Sequence, residues 1–260
     1  VPSAYSYVYL TQKFHKEGGA FVFLEKVKDK SMAGNLAWLL ILGYVLTISV
    51  YAYAFGHYLS FAFHGNPLLM RLLAAGVVIG LVALNLAGVG KLTKVEIIIV
   101  SVNLLVLFAL GAYGLSQWDS TQLIAGIEPR PAWSAFIGGA AIFMAYEGFQ
   151  LLTYEYDKIK NPDKTFMKTL LSAVIFVVFL YILVAIGATM LGGALSLVRF
   201  KQIALTIAAK SAFGEIGVIV MTVAAGFATA AAINSTLFST ANLSQRIADQ
   251  KELPSWFDHT

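Results

Sequence analysis

Long apolar runs alternate along this chain with short polar clusters, and most of the runs approach or exceed the roughly 20 residues that a helix needs to cross a bilayer. Read in order, they predict a helix end over about Pro2–Leu10, too short to cross, and a polar loop over Thr11–Ala33. Long helices are expected over about Leu36–Phe61, Leu68–Leu86 and Val95–Leu115, followed by a loop with Trp118, Pro129 and Pro131. A further run covers about Trp133–Tyr156 and closes in an Asn161-Pro162 turn. Then come a helix over about Phe166–Leu191, a short amphipathic segment around Ser196–Ala212 and a last span over about Ile216–Ser239.

The run over Trp133–Tyr156 differs from the others because it sets a carboxylate, Glu147, beside Gly148 inside apolar sequence. A charge at that depth is expensive in hydrocarbon and should face protein, water or solute. Backbone at that depth departs from helical geometry only where it is buried or lines a cavity. The expectation is a broken helix, interrupted between Met144 and Gln150, of the kind that holds a solute.

Composition narrows the class. Hydrophobic residues make up 58% of the chain and charged residues 12%, against about 25% charged in soluble domains. That leaves too little polar surface to cover the chain in water, so it reads as an all-α polytopic membrane protein. The absence of cysteine excludes disulfides and thiolate metal sites. The net charge of +4 is not a nucleic-acid footprint, because of where the basic residues fall. Thirteen of them (Lys13, Lys16, Lys26, Lys28, Lys30, Lys91, Lys94, Lys158, Lys160, Lys164, Lys168, Arg246 and Lys251) occupy alternate loops. The opposite side holds five: Arg71, Arg130, Arg199, Lys201 and Lys210. The positive-inside rule then puts loops 11–33 and 157–168 in the cytoplasm. Trp38, Trp118, Trp133 and Trp256 fall near expected helix ends, as interfacial aromatics do.

Candidate chemistry centres on Glu147. It is either a proton acceptor or partner of a substrate ammonium group, or a protonated acid bonded to a tyrosine that keeps the helix break in shape. Met144, Ala145, Tyr146, Gly148, Phe149 and Gln150 would supply open backbone, an aromatic wall and an amide around it. Tyr44, Thr47, Tyr51 and Tyr58 share one helical stripe, which either lines a polar path or joins neighbouring helices; Thr47 and Tyr51 are the two set deepest. Asn103, inside an apolar run, either bonds a partner helix or sits beside the site. Asn234, Ser235, Thr236, Ser239 and Thr240 gather in one half of the last span. The four histidines have no metal-ligand spacing, and no catalytic motif is present. The expectation is a non-enzyme without metal or cofactor.

Several short motifs, in order, resemble the amino acid–polyamine–organocation superfamily of permeases. Lys16-Glu17-Gly18-Gly19 follows a helix end as the family's P-x-x-GG does, with His15 near the usual proline. Asn85-Leu86-Ala87-Gly88 resembles N-x-x-G, and Phe143–Phe149 resembles the broken sixth helix. Asp157–Pro162 is similar to the E-x-x-x-NP motif and Glu252-Leu253-Pro254 to G-x-LP. The resemblance implies an inverted-repeat broken-helix fold with substrate held between helices one and six. It implies that residues 1–260 form a single partial permease domain, truncated at both ends, from late helix two to just beyond helix eight. A second proline near Met167 is absent. Asn103 stands where some proton-coupled members carry lysine, which shifts the expected coupling role towards Glu147. The implied function is secondary transport of an amino acid or related amine, proton-coupled or by exchange, in a plasma or inner membrane. Its partners would be that small molecule and the lipid bilayer, not nucleic acid. A helical-bundle receptor is the alternative; a retinal receptor would need a lysine in the last span, where none occurs.

Overall fold

A computed structural model describes residues 1–15, 19–26, 30–63, 66–88, 93–128 and 131–249. Lys16–Gly18 and Glu252–Pro254, part or all of two motifs above, lie outside the described residues.

The described residues form helices joined by short turns, with no strand. In chain order the helices are α1 (Pro2–Phe14), α2 (Gly19–Lys26), α3 (Lys30–Ala62), α4 (Pro67–Leu86) and α5 (Thr93–Ser116). They continue as α6 (Ser134–Phe143), a 3-10 segment (Met144–Lys158), α7 (Pro162–Gly192), α8 (Ala194–Arg199) and α9 (Ala204–Asp249). Among the described residues five helices are long and apolar enough to cross a membrane: Asn35–Ala62, Pro67–Leu86, Glu96–Ser116, Pro162–Gly192 and Lys201–Gln245. Large apolar side chains remain on their outer surfaces; Ile79 is 69% exposed and Leu86 84%. In water that surface would be a liability, whereas lipid tails match it. The protein is an all-α polytopic membrane protein.

The chain forms two compact units, and α3, α7 and α9 run from one into the other. Unit 1 comprises Val1–Leu46, Pro131–Val178 and the chain from Thr236 onward. Its first cluster joins Val22, Ala37, Tyr44, Leu243 and Ile247; its second joins Ala4, Val8, Tyr156, Phe166 and Leu170. The first cluster corrects two expected boundaries. The 11–33 loop contains α2, because Val22 is buried. The last helix runs on to Asp249 rather than stopping near Ser239, because Leu243 and Ile247, one turn apart, are both fully buried.

Unit 2 comprises Thr47–Arg130 and Phe179–Ser235. Here α5 and α7 meet through glycines. A Cβ on Gly114 would run into the carbonyl of Gly187, and one on Gly187 into the carbonyl of Gly111. Small residues let membrane helices approach to backbone contact, where dispersion and weak hydrogen bonds act without competition from water. Gly214 interrupts α9 with φ 61° and ψ −142°, a conformation essentially reserved to glycine. That kink falls between the expected amphipathic segment and the expected last span. Asn66 caps α4 by accepting a hydrogen bond from Leu69 N–H at 2.9 Å, with Pro67 following, a favoured pairing at a helix start.

Candidate functional site

The α-helix that begins at Ser134 ends at Phe143, and the chain continues as fifteen residues of 3-10 helix. Such runs rarely exceed three or four residues and mark hinges or strained sequence. The consequence is one of register. With three residues per turn, side chains at i and i+3 eclipse, so positions 144, 147, 150, 153 and 156 form one straight row. In an α-helix the same positions would wind around the axis.

The far part of that row is anchored in unit 1. Gln150 donates from Nε2 to the Tyr44 hydroxyl at 3.3 Å. Thr153, fully buried, donates to the Gln150 carbonyl at 2.6 Å. Tyr156 is 2% exposed; its hydroxyl donates to Asp163 Oδ1 at 2.7 Å, and its ring meets Phe166 edge-on at 5.1 Å. Asp163 in turn lies 3.3 Å from His15 Nδ1, and its carbonyl accepts from Gln12. On the neighbouring row, Phe149 meets Tyr7 of α1 edge-to-face at 5.6 Å and 89°, and Tyr7 meets Phe23 at 5.7 Å. The 3-10 segment is thus held at Phe149 by Tyr7, at Gln150 by Tyr44 and at Tyr156 by Asp163 and Phe166.

The residues expected at the break fall as follows. Ala145 and Gly148 are exposed, while Tyr146, Phe149 and Gln150 are half-buried. Met144 and Glu147 lie on the 3-10 backbone, and their side chains are outside the described residues. Gly148 has no positive φ, and a Cβ there would meet nothing within 4 Å. Neither backbone conformation nor crowding requires glycine at that position. The 3-10 winding, and not a glycine-specific conformation, ends the α-helical ladder. Thr47 is buried and Tyr51 half-buried, both on α3 within unit 2, and Asn103 is half-buried on α5. Thr236 and Ser239 are buried on α9.

Tyr7 and Tyr44 were missed as partners of this segment. Tyr44 opens the polar stripe Tyr44-Thr47-Tyr51, so the stripe was the available signal for it. Tyr7 carries no such signal, because its helix of 13 residues is too short to cross a bilayer. Among the described residues no group of three or more His, Cys, Asp or Glu is placed to hold a metal ion.

A family model described as amino acid permease matches residues 1–260. The chain is 29% identical over 98% of its length to uncharacterized protein MJ0609 of Methanocaldococcus jannaschii. It is 28% identical over 97% of its length to the inner membrane transport protein YbaT of Escherichia coli. It is 24% identical over 92% of its length to the serine/threonine exchanger SteT of Bacillus subtilis. These alignments take in 59%, 59% and 55% of the respective relatives, so the chain spans little more than half their length.

Proposed function

The chain belongs to the amino acid permease family, and from that premise we propose that it forms part of a secondary transporter for an amino acid or related amine, proton-coupled or exchanging. The observation that carries this reading is the passage at Phe143–Met144 from α-helix to 3-10 helix in the segment bearing Glu147. An α-helix keeps its backbone groups for itself, whereas a poorly hydrogen-bonded segment held by side chains can turn some of them to a solute.

In this reading the 3-10 stretch Met144–Gly148 lines the substrate path, with Phe149 as an aromatic wall and Gln150 as an amide; Thr47, Tyr51 and Asn103, in unit 2, are separate polar candidates. Glu147 either cycles a proton or pairs with the substrate ammonium. Residues 1–260 are one partial domain of the inverted-repeat fold, with loops 11–33 and 157–168 on the cytoplasmic side of a plasma or inner membrane. Similarity to a protein named as a serine/threonine exchanger makes small neutral amino acids the first substrates to try.

The test is uptake by proteoliposomes containing the full-length protein. Labelled amino acids and amines are offered with an imposed pH gradient, or against an internal load of the same compound. Stimulated uptake of at least one compound is expected. Well-folded protein that moves none of them under either condition overturns the proposal. Residues 1–260 alone should be inactive, and uptake by that piece would overturn the single-partial-domain reading.

A further inference from the structure

A second polar construction lies inside unit 2. Glu96 stands in the first turn of α5 and is the only acidic residue of that helix. Its Oε1 accepts a hydrogen bond from Asn234 Nδ2 of α9 at 2.8 Å. Asn234 Oδ1 accepts from Asn85 Nδ2 of α4 at 2.7 Å, and the same Asn85 amide donates to the Leu81 carbonyl at 2.8 Å.

Both amide hydrogens of Asn85 are therefore used. One braces the side chain against its own helix and the other points at α9. Between helices the donors run one way, from Asn85 through Asn234 to the carboxylate. Aligned hydrogen bonds polarise one another, and the chain ends at a helix N-terminus, where the backbone favours negative charge. Among the described residues no basic group forms an ion pair with Glu96. The tie to α9 is then a charge-assisted contact between single side chains, and charge-assisted bonds are the strong class.

Two features separate this from a static staple. First, Asn85, Glu96 and Asn234 are all half-buried. None of the three is sealed in the core, so opening the contact does not require unpacking a fully buried polar group. Second, α5 has its close contact elsewhere. Gly111 and Gly114 lie against α7 at Gly187, 15 and 18 residues beyond Glu96, or about 22 and 27 Å along a helix. A helix packed through glycines at one end and tied by a single polar contact at the other can pivot at the first and release at the second.

We propose that Asn85, Asn234 and Glu96 form a clasp that holds the α4–α5 end of unit 2 against α9. Opening that end during the transport cycle breaks the Asn234–Glu96 contact, with the glycine contact of α5 and α7 as the fulcrum. The link to a transport cycle rests on the permease reading, whereas the clasp itself rests on the geometry alone.

The absence of cysteine from residues 1–260 makes the test direct. In full-length protein freed of other cysteines, Ile233→Cys places a thiol at a fully buried position beside Asn234. A membrane-impermeant maleimide, added without substrate from the side bearing the α4–α5 turn, reports opening of that end. Glu96→Ala should raise the labelling rate tenfold or more. The reciprocal swap Glu96→Asn with Asn234→Glu restores a donor–acceptor pair and should return labelling to within threefold of the parent. Parental labelling in Glu96→Ala, or a swap that labels as fast as the faster of its two single variants, overturns the clasp. Where Glu96→Ala does not fold, Glu96→Gln keeps an acceptor and loses the charge. A two- to fivefold rise is expected for it, and a parental rate again overturns the proposal. Labelling needs no substrate, so the two readings fail separately. Faster labelling in a protein that transports nothing sinks the permease proposal alone, and transport with unchanged labelling sinks the clasp alone.

Discussion

Gln150 of the 3-10 segment donates its side-chain amide to the hydroxyl of Tyr44 on α3 at 3.3 Å. The length lies just beyond the usual range for N–H···O, and Tyr44 is 2% exposed, so water does not compete for the bond. Tyr44→Phe and Gln150→Leu should each lower stability by about 0.5–1.5 kcal/mol. The double variant should fall short of their sum, since contacting residues couple by about 0.5 kcal/mol or more. Thermal unfolding in detergent of all four proteins measures the cycle. Strict additivity would mean the bond contributes nothing.

Glu147→Gln keeps shape and removes the titratable group. If the carboxylate cycles a proton, proton-driven accumulation should fall by orders of magnitude while counterflow of a neutral substrate survives. If it pairs with a substrate cation, binding itself should weaken by about 2–5 kcal/mol. If it only shapes the break, both activities should decline modestly and track the melting temperature. Accumulation, counterflow and melting on one variant separate the three. Unchanged accumulation with an unchanged pH profile removes Glu147 from coupling.

Gly187→Val pushes a side chain into the backbone carbonyl of Gly111, which cannot rotate away. Overpacking of this kind costs about 1–3 kcal/mol, read as a lower melting temperature. Gly76→Ala is the control, because a Cβ on that α4 glycine meets nothing within 4 Å. It should be neutral or stabilising by up to about 1 kcal/mol, the difference in helix propensity. Equal effects of the two substitutions would contradict the glycine contact between α5 and α7.

Asp119 lies in the polar connection between α5 and α6. A hydrogen bond from the Thr121 hydroxyl, then the Thr121 N–H and the Gln122 side chain, hold its carboxyl below the ordinary aspartate value. A lowered value in the folded state means that the ionised form is favoured by folding. The contribution is present above the ordinary aspartate range and is lost as pH falls through the folded value. Titration of the Asp119 side chain by NMR should give a midpoint below that of an unstructured peptide, and Thr121→Val should raise it. A midpoint that Thr121→Val does not move would show that the Thr121 hydroxyl has no part in the shift.

The long apolar runs made the helix order legible, because a bilayer-spanning helix must satisfy its backbone internally and so announces itself as uninterrupted hydrophobicity. Boundaries failed where a few residues decide them. Val22 sits in an apolar run of five residues, Ala20–Leu24, too short to announce a helix, and Leu243 and Ile247 sit in a polar stretch; each is buried only because a partner elsewhere in the chain covers it. Glu147 and Gln150 drew notice as polar groups in apolar sequence. Tyr44 was placed on its stripe but not with Gln150, because 106 residues separate them. Glu96, beside Lys94, carries no signal of its role, because a charge at the edge of a span looks like an ordinary helix end.

The sequence alone therefore determined that this is an all-α chain of membrane-crossing helices with a family's motifs in order, since those properties depend on hydrophobicity and local spacing. Only the tertiary structure decided that the segment after Phe143 winds with three residues per turn, which sets 147, 150, 153 and 156 in one row. It alone joined Asn85, Asn234 and Glu96, on three helices, into one hydrogen-bonded chain. A hydrogen bond between distant residues depends on the distance and angle of two side chains, and no local period in a sequence carries that information.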